Sequence, residues 1–210
     1  MGRLTLRAGL RSPVFVVLLL GMGALVAAAP RLTFFGFGES ERIVRETTQS
    51  ALRITSLLLA LSCGLSRERE SGFWALLASR PISPAGLFLG RALGTLTLVL
   101  AALLWLSVVH YGTLKLSGAE APEIGRLWAE AALEGAALVG LTAALGALLT
   151  RSAAAIAVIA VFALAHGTHA LAFALPRQGA LLEAALLGGF YLALGAAIAQ
   201  AREPGAQDLS

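Results

Sequence analysis

Apolar residues along this chain come in long unbroken runs, at neither strand nor soluble-helix spacing, and six such runs stand out: approximately 13–30, 50–65, 87–111, 128–149, 153–175 and 180–199. A helix crossing the hydrocarbon needs roughly 20 mostly apolar residues, because about 30 Å must be covered at 1.5 Å per residue. The second and last runs are marginal alone, yet no long polar stretch separates any of them. The apolar and polar alternation of a transmembrane strand is absent, so helices must satisfy the backbone within the bilayer. The pattern therefore predicts an all-α membrane protein, a six-transmembrane-helix bundle forming a single domain over 1–210. Residues 1–12 are expected as an interfacial amphipathic helix, 13–199 as the six spans and 200–210 as a cytoplasmic tail.

The polar punctuation refines this picture. Arg3, Arg7 and Arg11 recur at i, i+4 and i+8 and stack on one helical face, which suits either an interfacial helix or simple orientation charges. Residues 31–49 form the first outside loop, with Phe34, Phe35 and Phe37 at the interface and a short surface helix expected from Glu39 onward. Thr150, Arg151 and Ser152 leave room only for a tight turn, so the fourth and fifth spans are expected as an antiparallel pair. Small residues at Ala132, Ala136 and Gly140, and at Ala184 and Gly188, offer positions where helix backbones can approach closely.

Composition fixes the class. The chain is 58% hydrophobic and 13% charged over 210 residues, with mean hydropathy +0.82, where a soluble domain has about 25% charged residues. The sequence pI of 10.2 does not point to nucleic acid, because the basic residues are scattered through short loops. With the N-terminus inside, nine lie inside (Arg3, Arg7, Arg11, Arg67, Arg69, Arg80, Arg91, Arg151, Arg202) and seven outside (Arg31, Arg42, Arg45, Arg53, Lys115, Arg126, Arg177). Three arginines before the first span face Arg31 after it, so both termini are expected in the cytoplasm, with the chain multi-pass in the cell inner (cytoplasmic) membrane. The start resembles a signal peptide, but its apolar run exceeds the usual h-region of roughly 7 to 15 residues and is read as the first span. Cys63 has no second thiol or histidine pattern around it and reads as a buried small hydrophobe.

Charges inside spans cost roughly 2.5 to 3.5 kcal/mol each at mid-helix on insertion scales, so each is a candidate for function. Arg53, Glu130, Glu134, His166 and His169 fall at similar depth on the outer side. Arg53 is expected to pair with Glu134 or Glu130, and these residues either line an outward vestibule or sit at the interface. His166 and His169 share a helical face, but no third ligand accompanies them and no metal site is assigned. Hydrogen bonding between helices is the simpler use of the pair. His110 offers less. No nucleophile, base and orienter fall together, so no catalytic residue and no enzyme activity are expected.

One stretch breaks the apolar monotony: "SRERESGFWALLASRPIS", residues 66–83, packs charges, two aromatics and a proline between the second and third spans. Phe73, Leu76 and Leu77 share one side of two helical turns, with Glu70, Ser71 and Arg80 elsewhere. Pro81 restricts Arg80 and ends the helix. Such a helix either anchors a loop at the interface or docks a cytoplasmic partner whose movement reaches the flanking spans.

The run "SRERESGFWALLASRPISPAGLFLGRALG", 66–94, resembles the segment after the second span of type-2 ABC transporter permeases: an acidic-basic patch, a glycine, a leucine pair, an "RPIS"-like turn and a "flLGr" entry to the next span. Residues 35–61 are similar to the preceding loop and span of that family, and the rest of the chain matches in hydropathy alone. The resemblance implies that Glu68, Glu70, Gly72, Phe73, Leu76 and Leu77 belong to a cytoplasmic coupling helix seated in a cleft of a separate ATP-binding subunit, with Arg80, Pro81 and Ile82 as the turn that relays its motion. It also implies a homo- or heterodimer of permease protomers working as an exporter. No "GxxxxGK[ST]" phosphate loop is present, so ATP and Mg are expected on the partner ATPase, with no cofactor bound by this chain.

Two other readings remain. A permease similar to the haem exporter of cytochrome c maturation has comparable size and span number, and a non-transporting membrane protein would scaffold a complex or hold a cofactor through His166 and His169.

Overall fold

The computed structural model describes residues 2–32, 40–64, 84–116, 118 and 124–171, and the described residues are almost wholly helical, without strands. In chain order the helices are α1 (Gly2–Leu10), α2 (Pro13–Leu32), α3 (Ser40–Gly64), α4 (Pro84–Leu116), α5 (Ile124–Leu148) and α6 (Arg151–Leu171). Among the described residues three segments are long and apolar enough to cross a membrane: Pro13–Arg31, Phe88–Leu116 and Ile124–Leu148. Valines, leucines, isoleucines and aromatics face outward on α2, α4 and α6, among them Val17, Leu20, Leu93, Leu104, Val108, Ile156 and Leu164. An aqueous surface penalises contiguous apolar exposure of this kind, whereas lipid accepts it. The chain is a helical membrane protein.

Local chemistry explains the breaks between helices. Ser12 O accepts from Phe15 N at 3.1 Å and from Val16 N at 3.4 Å, while Pro13 takes the first helical position of α2, where its missing N–H costs nothing. Pro84 opens α4 in the same way. Between α5 and α6 the chain needs only Leu149 and Thr150; Thr150 O accepts from Ala154 N at 2.9 Å and starts α6. The tight turn expected there is present, and α5 packs on α6.

Several elements extend beyond their sequence limits. α2 continues through Pro30 to Leu32, since a proline in the last turn still has its φ in the helical range. The surface helix expected from Glu39 is the first part of α3, continuous with the apolar run expected as the second span. α4 runs for 33 residues, about 50 Å at 1.5 Å per residue, longer than the hydrocarbon is thick.

α3 is the central element, packing against α2, α4, α5 and α6. Its buried positions are Val44, Thr48, Ala51, Leu52, Thr55, Ser56, Leu59 and Ala60, a stripe at spacings of three and four that presents one face to the bundle. Several are small, so neighbours come close. A Cβ on Gly135 of α5 would lie 2.9 Å from Val99 Cγ1 of α4 and 3.3 Å from Ser56 Oγ of α3, so three helices converge at this glycine. The buried face of α5 includes Leu127, Ala131, Gly135, Leu138 and Thr142, together with Gly140 of the small-residue row expected to pack; Ala132 of that row is partly buried against the core and Ala136 is partly buried. α1 is seated on the bundle rather than lying apart: Gly9 is buried against the side chain of Leu98 on α4.

Candidate functional site

The charges and hydroxyls on the inner faces of α3, α4 and α5 meet in three layers, built from residue types that lipid would otherwise expel. Two layers lie toward the end of the bundle opposite α1, and one lies at the α1 end.

In the middle layer Arg53 Nε donates to Glu134 Oε2 at 3.1 Å, joining α3 to α5. The side chains are 23% and 32% exposed, so the pair is only partly desolvated. Of the two acids expected opposite Arg53, Glu134 makes the contact. Glu130 instead accepts from Arg126 Nε at 2.9 Å, one turn earlier on its own helix. An equivalent exposed pair, Arg42 to Glu46, decorates the polar start of α3.

Nearer that same end, Thr48 and His110 join α3 to α4, with Thr48 Oγ1 and His110 Nδ1 2.7 Å apart and both residues buried. Thr48 Oγ1 also donates to Val44 O at 2.8 Å. A hydroxyl has one proton, so with that proton on the Val44 carbonyl the imidazole Nδ1–H is the donor to Thr48, which leaves Nε2 as an acceptor. Sequence alone assigns His110 no role. Its one signal is a single imidazole in an otherwise apolar run, and the partner lies 62 residues away.

At the α1 end Arg91 Nη2 donates to Cys63 O at 3.0 Å. Cys63 lies in the last turn of α3, where carbonyls lack intrahelical partners and a cation is favoured. The guanidinium thus ties the end of α3 to the first part of α4, across the base of residues 65–83. In the sequence Arg91 is only an orientation charge; the fold gives it this second role. Cys63 is partly buried rather than fully enclosed, with its Sγ 3.7 Å from Ser62 Oγ.

Several other hydroxyls in the bundle donate to the carbonyl four residues back, as Ser56, Thr97, Ser107 and Thr113 do, which lets a polar side chain sit in an apolar helix without an interhelical partner. Thr55, Thr95 and Thr142 differ: each is buried and its Oγ1 has no hydrogen-bond partner among the described residues. They lie on α3, α4 and α5, the three helices that converge at Gly135.

Glu68, Glu70, Gly72, Phe73, Leu76, Leu77, Arg80, Pro81 and Ile82 lie outside the described residues. His166 and His169 belong to α6, one turn apart, and their side chains lie outside the described residues. No group of three His, Cys, Asp or Glu suited to a metal ion occurs among the described residues. In comparisons with known proteins, no family model and no curated sequence matches the chain.

Proposed function

We propose that this chain is the membrane-spanning permease subunit of an ATP-driven ABC exporter, coupled to a separate ATP-binding subunit through a cytoplasmic helix at 70–80. In this reading the bundle has six spans, the third span corresponding to α4 and the sixth lying beyond α6. Both termini face the cytoplasm, and two protomers work as a dimer.

The observation that carries the reading is the position of the 66–83 segment between two particular helices. α3 and α4, which flank it, pack on each other and between them touch α1, α2, α5 and α6, and Arg91 clamps the end of α3 to α4 at the base of the segment. A force applied at 66–83 enters the bundle through its most connected pair. A loop with a purely anchoring role needs no such connection. The resemblance of 66–94 to the permease coupling segment supplies the chemistry of the handle: Phe73, Leu76 and Leu77 as the apolar grip, Glu68 and Glu70 as the charged edge. Arg53 and Glu134 then serve as a cross-tie between α3 and α5 on the outward side, and ATP and Mg act on the partner chain.

Affinity purification from native membranes tests this directly. The intact chain is expected to bring down a chain bearing a nucleotide-binding phosphate loop, and Leu76→Asp or Leu77→Asp to lose it while the bundle remains folded. Recovery of the bundle with no nucleotide-hydrolysing companion from native membranes rejects the reading.

A further inference from the structure

At the α1 end of the bundle a groove of about 560 Å³ opens between α2 and α6 over the end of α3. Its walls are sorted by chemistry. Val14 and Leu18 of α2, Leu58 and Leu61 of α3 and Ala155 of α6 form an apolar trough, and Arg151, Ser152 and Ser62 supply its polar part. Arg151 and Ser152 are the first two residues of α6 and are exposed. No carboxylate pairs with Arg151 among the described residues, and α6 adds to it the partial positive charge of a 21-residue helix start.

The surrounding charge has the same sign. Glu41, Glu46, Glu130 and Glu134, the acidic residues among those described, all lie in the first halves of α3 and α5, toward the opposite end. Arg7 and Arg11, both exposed, and Arg91 share the α1 end with Arg151. An apolar trough beside an uncompensated guanidinium and two hydroxyls is complementary to a molecule with a hydrocarbon chain and an anionic head.

We propose that this groove is a binding site for one anionic glycerophospholipid, its acyl chain along Val14, Leu18, Leu58 and Leu61 and its phosphate on Arg151, with Ser152 donating to a phosphate oxygen. The site requires only that the bundle is in a membrane and is independent of any ATPase partner.

Native mass spectrometry of the full chain, released from nanodiscs holding equal amounts of phosphatidylglycerol and phosphatidylcholine, tests it. The wild type is expected to retain one phosphatidylglycerol in preference to phosphatidylcholine. Arg151→Gln is expected to reduce that preference by roughly fivefold to tenfold, as loss of one charge-assisted contact to a phosphate does. Arg7→Gln and Arg11→Gln, outside the groove lining, are expected to leave it unchanged. Ala155→Trp, which fills the trough from the second turn of α6, is expected to expel both lipids, with helicity by circular dichroism confirming the fold. Excess inorganic phosphate is expected not to displace the lipid. Equal retention of the two lipids by the wild type, equal losses for Arg151→Gln and Arg7→Gln, displacement by free phosphate, or a cross-link from Ala155→Cys to residues 172–210 filling the trough each overturns the proposal.

Discussion

Removing the Glu134 carboxylate strips the Arg53 guanidinium of its partner across α3 and α5. Exposed pairs are worth under about 1 kcal/mol, whereas breaking a fully buried one costs about 3 to 5. With side chains 23% and 32% exposed, Glu134→Gln is expected to destabilise the bundle by about 1 to 2 kcal/mol. In a double-mutant cycle read by unfolding in mild detergent, Arg53→Gln added to Glu134→Gln should cost less than the two single losses combined. Strict additivity would remove the pair from the account. Thr48→Val leaves the His110 Nδ1–H facing a methyl group, and a loss of about 1 kcal/mol is expected, the scale of an interhelical hydrogen bond in a membrane. His110→Phe combined with Thr48→Val removes both halves and should be milder than Thr48→Val alone if the larger ring is accommodated. At this scale the sequence indicates which residues are charged within spans and that Arg53 needs an acid. It does not separate Glu134 from Glu130, since the choice depends on how α5 is rotated, nor does it connect Thr48 to His110 across 62 residues.

The elements are legible where apolar runs are long, and less so where packing decides. The turn at Thr150 and the proline starts of α2 and α4 follow from local chemistry alone. The rotation of α5 does not: Ala132 and Ala136 look equivalent to Ala131 and Gly135 along the chain, and only the fold buries Ala131 and Gly135 fully, with Gly140, while leaving Ala132 and Ala136 partly exposed. Gly135→Ala places a methyl 2.9 Å from the buried, branched Val99, so the helices must separate; a loss of about 1 to 3 kcal/mol is expected. Ala136→Leu, one position round the helix, is the control and should cost less. The polar first half of α3 also reads as a separate surface helix, because hydropathy marks where the membrane begins and not where a helix ends. At the base of 66–83, Arg91→Ala removes the clamp on the Cys63 carbonyl. Under the permease reading this variant should still bind the ATPase but lose most of the response of ATP hydrolysis to the membrane subunit, measured as turnover of the reconstituted complex against the ATPase alone.

For the whole molecule, the outward apolar faces of α2, α4 and α6 and the inward polar stripe of α3 place the bundle in a membrane. The charge distribution gives it a direction, with arginines alone among the described ionised groups at the α1 end and mixed charges at the other. Composition and pattern foretell a helical membrane protein; they do not foretell that α3, less apolar than α2, α4, α5 or α6, is its centre, because its polar residues are buried by neighbours that only the fold supplies. The proposed function rests on the α3–α4 pair being driven from 66–83. The most direct measurement is photo-cross-linking in native membranes from a probe replacing Trp74. The account predicts one major adduct, reached from the cytoplasmic side, with a nucleotide-hydrolysing chain, and a yield that changes when ATP is added. An adduct confined to lipid or to this chain itself, or labelling of position 74 from the opposite side of the membrane, would contradict it.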